Sequence, residues 1–305
     1  MSLLHTTIDD LPVFENVIIV INVNTWISTT LAILSAKKTT DYPVVVIDCS
    51  NNDDDIKILQ KLSYEFDFYL IKMPLQRHGL TLDLLFRKIN AKYICLLDSD
   101  AEIIDFSFFR NELIHDENTF GIGFINGPFP LDEKSWPHGG GSGLIYYQER
   151  MYIPCVLLKR EKIIEALDAG CSFKDKWEFN DFPIRSIARL LYRRFRFKLF
   201  LKNDIPFLKY FRKTYYDYHK PSMVIYDTGA QVYMFLKYKC GYDFIGLPER
   251  FHNRYFNHFF GMTRKILNPD DGNTTSLNSV ETLIATRLND IYNFDVAKIK
   301  REYFL

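Results

Sequence analysis

Runs of apolar residues alternate with amphipathic segments through about the first 100 positions of the chain. Val17 to Val23 is a nearly continuous apolar run, the pattern of a strand buried on both faces. Ser28 to Lys38 follows with helical spacing, with Ser28 or Thr29 placed to cap it. Val44 to Ile47 predicts a second strand, Ile56 to Phe66 a second helix, Phe68 to Met73 a third strand and Leu80 to Ile89 a third helix. The apolar run Tyr93 to Leu97 then reads as a central parallel strand. Such alternation predicts βαβ units with right-handed crossovers, a Rossmann-like half.

Beyond Asp100 the periodicity loosens. Strands are predicted at Phe120 to Ile125, Tyr152 to Leu158 and Tyr242 to Leu247, and helices at Glu161 to Asp168, Gly229 to Lys239 and Val280 to Tyr292. Pro128 to Gly143 is turn-rich, and Asn268 to Asn278 is a polar linker. The run Gly139 to Gly143 includes one Ser and lacks the Gly-Lys-Ser/Thr ending of a phosphate-binding loop, so it reads as a mobile loop beside a cleft or as a plain linker.

The chemistry-bearing feature is Asp98-Ser99-Asp100 at the end of the Tyr93 to Leu97 run. Ligands gather beyond the carboxyl ends of parallel strands. In an extended segment the two carboxylates face the same side and suit one hard divalent cation, with substrate phosphates completing its shell. The plain alternative is a turn or helix cap, which Asp also favours.

At 305 residues and 47% hydrophobic content the chain is globular, with ample core. Its 38 basic and 38 acidic residues cancel, but unevenly. Arg185 to Lys220 holds eleven Lys/Arg and two Asp/Glu, a local +9 that leaves −9 on the other 269 residues. Arg185, Arg189, Arg193 and Arg196 recur at helical spacing opposite Ile184, Ile187, Ala188, Leu191 and Phe195. A basic, aromatic amphipathic helix suits an anionic membrane interface; packing on the domain is the plain alternative. The acidic remainder argues against nucleic acid as a partner. Five scattered cysteines without a Cys-x-x-Cys pair suggest reduced thiols, and the N-terminus lacks a signal-peptide pattern. No apolar run approaches the length of a membrane span, so a cytoplasmic protein is expected, with any membrane contact peripheral.

A first strand ending Ile21-Asn22-Val23-Asn24-Thr25, a second ending Val46-Ile47-Asp48-Cys49-Ser50-Asn51, and Tyr93 to Asp100 resemble GT-A glycosyltransferases of the family-2 type. The resemblance covers most of residues 17 to 102 and implies transfer of a sugar from a nucleotide-diphosphate donor, with a uracil base as the family-level expectation. It implies that Asp48 contacts the donor base, that Asn24 lines the nucleotide pocket, and that Asp98 approaches the ribose or the metal. Asp100 would ligate Mn²⁺ or Mg²⁺. Two family features are absent: Ile21-Asn22 stands at the usual Pro-Thr, and no Arg-Asn precedes the metal strand. Arg77, His78 and Gly79 occupy the corresponding loop, with Arg77 the candidate donor contact.

Tyr226-Asp227-Thr228-Gly229, then a helix and Gly241-Tyr242, resembles the family's acidic motif and Gly-Tyr strand, with spacing about one turn longer. Asp227 falls where the general base would stand, and helix capping by Asp227 or Thr228 is the alternative. Glu178 and Asp181 are fallback bases. His258-Phe259-Phe260-Gly261 resembles the segment whose His completes the metal site, with His252 the weaker candidate. Arg254 and Arg264 would neutralise the leaving diphosphate.

The resemblance implies an α/β GT-A fold carrying a helical basic insertion at about 183–222. Residues 1–105 would form the donor half, 106–267 the acceptor half, and 268–305 a linker and C-terminal helix. The expected activity is metal-dependent transfer of a sugar from a UDP-linked donor to a glycan or lipid-linked glycan, inverting through Asp227. A retaining transferase, a nucleotidyltransferase and a degenerate binding protein are the alternatives.

Overall fold

The computed structural model describes residues 7–109, 116–130, 145–179, 223–247, 252–259 and 277–304. The basic segment 185–220, the glycine run 139–143, Asp181, Arg264 and positions 268–276 of the expected linker lie outside the described residues. The first apolar runs form β1 (Phe14–Asn22), β2 (Val44–Asp48), β3 (Tyr69–Lys72) and β4 (Ala91–Asp98), joined by α1 (Trp26–Thr39), α2 (Asp53–Glu65) and α3 (His78–Lys88). All four strands pair in parallel, in the order β4-β1-β2-β3.

The central positions of each strand are apolar because they serve two cores. Ile18, Val46 and Leu97 pack with α1 and α2 on one face, while Ile19, Ile47 and Leu96 pack with α3 on the other. The chain winds from β1 to β3 in one direction, then returns past β1 to lay down β4, which puts α3 on the opposite face. The strand order reverses between β1 and β4, and open α/β sheets leave a crevice at the carboxyl ends where this happens. Asn22 and Asp98 end those two strands.

The second half adds β5 (Ala101–Ile103), β6 (Thr119–Asn126), β7 (Phe129–Pro130), β8 (Ile145–Tyr147), β9 (Arg150–Lys159), α4 (Arg160–Asp168), β10 (Lys176–Phe179) and β11 (Met223–Tyr226). Then follow α5 (Ala230–Met234), running into a π-helical turn at Phe235–Lys239, β12 (Asp243–Leu247), α6 (His252–Tyr255), β13 (Phe256–His258), α7 (Leu277–Tyr292) and α8 (Val296–Phe304). The seven-stranded sheet runs β12-β6-β9-β4-β1-β2-β3 and is mostly parallel, as expected. The Tyr93 to Leu97 strand is central but parallel only to β1. Its other neighbour, β9, starts level with the end of β6 and runs antiparallel to both. Pro154 has no N–H to give this inner strand, and the pairing of β6 with β9 slips register there, between Gly123 and Ile125.

One helix boundary and one whole helix depart from the sequence reading. α1 starts at Trp26, and Ser28 and Thr29 lie inside it rather than capping it. Acceptors from β1 and α2 replace them: Asn22 Oδ1 accepts from the Thr25 N–H at 3.1 Å, and Asp55 Oδ2 accepts from the Trp26 N–H at 3.1 Å. α8 was not expected at all; Phe294, Val296 and Ile299 bury into the core, and the Asp295 carboxylate accepts from the Lys298 N–H at 3.0 Å. All five cysteines are free. No helix among the described residues is long and apolar enough to cross a membrane.

β13 joins the molecule by pairing antiparallel with β5, placing His258 opposite Ala101. Between them Glu102, 1% exposed, takes two hydrogen bonds from the Arg287 guanidinium at 2.7 and 2.9 Å, one from the Tyr292 hydroxyl at 2.9 Å and one from the Asn257 amide at 3.0 Å. The pair ties α7 to the strand that follows Asp100. Removing one member of a buried ion pair strands the other, at about 3–5 kcal/mol. Arg287→Ala is expected to lower unfolding stability by about 3 kcal/mol in urea melts, and Glu102→Gln in that background to recover part of the loss.

Candidate functional site

The end of β1 is organised by one buried carboxamide. Asn22 Oδ1 accepts from the Thr25 and Thr29 hydroxyls, each at 2.8 Å, while Nδ2 donates to Asp48 Oδ1 and Ser50 Oγ, each at 2.8 Å. This cross-tie between β1, α1 and β2 stands where the resemblance expected Pro-Thr. Asp48 is 1% exposed, and besides Asn22 it accepts from the Ser50 N–H and hydroxyl and from Lys72 Nζ at 3.2 Å. Its oxygens are therefore committed inward, to the floor of the crevice rather than to an open edge. Asn24, in the left-handed region at φ 53°, reaches Asn51 Oδ1 at 2.7 Å and forms the exposed rim instead. On another side Asn24 lines a pocket of about 440 Å³ with Trp26, Asn52, Asp55, Lys300 and Arg301, which none of Asp48, Asp98, Asp100 or His258 lines.

The carboxylates of the Asp-Ser-Asp sequence converge, though not as an extended strand. β4 ends at Asp98, and Ser99-Asp100 form a turn into β5. The Ser99 hydroxyl meets Thr25 Oγ1 at 3.3 Å, and the Asp100 carbonyl accepts from the Phe259 N–H at 2.9 Å. The turn, not period-two alternation, brings Asp98 and Asp100 together. β13 then delivers His258, whose Nε2 lies 3.1 Å from Asp100 Oδ1 and 3.8 Å from Asp98 Oδ2. One ligand atom from each of the three residues lies within 4.8 Å of the others.

This donor set fits a hard divalent ion. Adjacent ligands about 2.1 Å from an octahedral centre stand about 3.0 Å apart, close to the Asp100–His258 separation. Asp98 is the most open of the three, its side chain 29% exposed against 7% for Asp100 and 10% for His258. The triad therefore leaves room on the Asp98 side for exogenous oxygens. Burial raises the Asp98 pKa, as does the Asp100 charge, while His78 and His258 pull it down.

Tyr152 supplies what the sequence reading missed. Its hydroxyl lies 2.8 Å from His258 Nδ1, so it fixes the ring plane and can serve the imidazole as donor or acceptor. No sequence signal marks this residue, because its approach depends on the register slip around Pro154. His78, named in the same loop as Arg77, opens α3 and acts electrostatically on Asp98; both residues are exposed. α3 comes this close because Gly79 lies against the Phe173–Lys174 backbone, where an added Cβ would stand 2.5 Å from Lys174 N.

Asp227 follows β11 and is 40% exposed. It does not cap the helix with its side chain; α5 starts after Gly229, in the left-handed region at φ 83°, and the Asp227 carboxylate accepts the Thr228 N–H at 2.8 Å and pairs with Arg150 Nη2 at 3.0 Å. Glu178 is engaged by Lys176 at 2.6 Å and by Tyr226. Arg254 is exposed, its guanidinium over the Tyr255 ring, and His252 opens α6.

No family model matches the chain, and no curated protein matches it. Among solved structures it is similar to apo WbbM, a bifunctional glycosyltransferase, at 11% identity and TM-score 0.35, covering 51% of this chain and 33% of that one. It is also similar to S. aureus TarS, at 13% identity and TM-score 0.34, covering 93% of this chain and 45% of that one. A third is the 4-diphosphocytidyl-2C-methyl-D-erythritol synthase of Anaerococcus prevotii, at 7% identity and TM-score 0.34, with 59% and 82% covered. The chain thus spans a third of the first and less than half of the second. Likenesses of this size bear on neither reaction nor substrate.

Mn²⁺ is expected to raise the thermal midpoint of the wild-type protein and to leave Asp100→Ala unmoved. Tyr152→Phe should bind Mn²⁺ about tenfold more weakly, the usual scale of a lost ligand-orienting contact, and titration calorimetry reads both. Asp55, 3% exposed, has its pKa raised from 3.8 to about 6, chiefly by burial; the Trp26 N–H opposes the rise and the Asp48 charge adds to it. Its protonated form thus contributes stability that is complete below about pH 4 and lost as pH rises through 6, about 2–3 kcal/mol in all. Asp55→Asn should remove that step, so that melts of variant and wild type diverge at pH 8 more than at pH 4.

Proposed function

We propose that the protein is a metal-dependent glycosyltransferase that moves a sugar from a nucleotide-diphosphate donor to a hydroxyl of a glycan or lipid-linked glycan. The observation that carries this reading is the convergence of Asp98, Asp100 and His258 at the switch point between β1 and β4. Two carboxylates and an imidazole suit Mn²⁺ or Mg²⁺, and a crevice beyond parallel strands suits a nucleotide. When bound, the cation supplies positive charge against the diphosphate, the largest expected electrostatic term in such a transfer.

The chain's own residues take the remaining roles. Asp100 and His258 hold the ion, Asp98 holds it or the ribose, and Tyr152 and the β5–β13 pairing hold His258. Asn24 and Asn51 offer amide groups at the rim to the nucleoside, above a floor set by Asn22 and Asp48. Residues 1–105 form the donor half and 106–267 the acceptor half. Asp227 takes the proton of the acceptor hydroxyl as that oxygen bonds to the anomeric carbon from the face opposite the donor, whose bond to the nucleoside diphosphate breaks; the configuration is thereby inverted. The basic segment 185–220 brings an anionic lipid surface, and with it a lipid-linked acceptor, to the enzyme. A retaining transfer is the second reading, favoured by one observation: Asp227 is already ion-paired with Arg150.

A thermal-shift panel of nucleotide-sugars with and without Mn²⁺ tests the assignment, since a ligand bound only by the native state raises the midpoint. One donor class should stabilise the wild type only with Mn²⁺ and fail on Asp100→Ala. A panel with no Mn²⁺-dependent shift would contradict it, and the anomeric configuration of the product, read by NMR, separates inversion from retention.

A further inference from the structure

Arg150 was singled out by no motif, yet it stands between the two parts of the site. It opens β9 two residues before Tyr152, and with Met151 and Ile153 buried against the α3-side core, Arg150 and Tyr152 project to the same opposite side. Tyr152 touches His258, and the Arg150 charge acts on the Tyr152 hydroxyl together with those of Asp98 and Asp100. Toward the other side, Arg150 Nη2 pairs with Asp227 at 3.0 Å. The arginine therefore links the candidate base to the candidate metal triad.

Its guanidinium is held but not saturated. The Tyr147 ring lies 5.2 Å from Cζ, and the neighbouring Glu149 is anchored by Lys237 at 2.9 Å and by the Tyr233 hydroxyl at 3.1 Å, which fixes the start of β9. Nη1 is buried and has no hydrogen-bond partner among the described residues. A buried N–H on a cation without an acceptor is an anomaly in a folded protein, and an arriving anion is its natural resolution. Guanidinium forks match phosphate oxygens as well as they match carboxylates.

Resting on the metal-dependent reading above, we propose that Arg150 exchanges the Asp227 carboxylate for a phosphate oxygen of the metal-bound diphosphate, so that the base is uncovered only when donor is in place. In the free protein the Arg150 guanidinium occupies Asp227 Oδ2, and the Thr228 N–H occupies Oδ1. Diphosphate at the triad offers the guanidinium a more highly charged partner, and the carboxylate is released toward the acceptor side. The ion pair that favours a retaining reaction is then the resting state of an inverting one.

The test uses the full chain, Mn²⁺ and inorganic pyrophosphate, which needs no knowledge of base or sugar. Mn²⁺ alone, counted by the loss of its free EPR signal, should bind wild type and Arg150→Gln equally. Pyrophosphate at saturating Mn²⁺, followed by calorimetry, should bind Arg150→Gln at least about tenfold more weakly, the scale of a lost charge-assisted pair. Asp227→Asn removes the competitor and should bind pyrophosphate more tightly than wild type, a gain that a merely structural brace would not give; this variant keeps the test decisive if Arg150→Gln folds poorly. Equal pyrophosphate affinity in wild type and Arg150→Gln, or weakened affinity in Asp227→Asn, overturns the exchange while leaving the metal reading intact. Failure of Mn²⁺ to bind wild type overturns the metal reading itself, and the exchange with it.

Discussion

The site depends on the buried ion pair between Glu102 and Arg287. Glu102 lies two residues beyond Asp100, and His258 comes from a strand 158 positions along the chain that meets β5 only through three paired residues. So short a pairing is weak by itself. The Glu102 carboxylate, shared by Arg287, Tyr292 and Asn257, fastens α7, β5 and β13 to one another. With that junction fixed, the imidazole stands over the two aspartates, and Tyr152 holds the far side of the ring.

A second constraint acts at the other strand. Asn22, fully buried, uses both ends of its amide to join β1, α1 and β2, and it turns Asp48 inward. The crevice therefore has a polar but internally satisfied floor, an amide rim at Asn24 and Asn51, and charge concentrated at the triad. Satisfied floor groups gain little from a ligand, whereas convergent carboxylates gain much from a cation. A cation at the triad would gain more from that contrast than a neutral group.

The sequence made the first half legible because strands buried on both faces leave no polar position to confuse the period, as in Val44 to Ile47 and Tyr93 to Leu97. Asp98, Asp100 and His258 were each readable as candidates, but their meeting was not, since it is produced by a turn and by a long-range strand pairing. The expected cap residues of α1 failed for a related reason: Asp55 reaches the helix end from α2, where local propensity cannot register it, and Asn22 reaches it from the end of β1. α8 was missed although Asp295 marks its start. Arg150 and Tyr152 had no signal, because their positions follow from the slip of β9 around Pro154.

The central claim is that one divalent ion sits among Asp98, Asp100 and His258 and carries the diphosphate. Its most direct measurement is the anomalous scattering of Mn²⁺ in crystals grown with a nucleoside diphosphate. The account predicts a single strong peak within about 2.3 Å of a ligand atom from each of the three residues, with phosphate density on its Asp98 side. A peak elsewhere, such as in the pocket lined by Asp55 and Lys300, or none in crystals grown at saturating Mn²⁺, would contradict it.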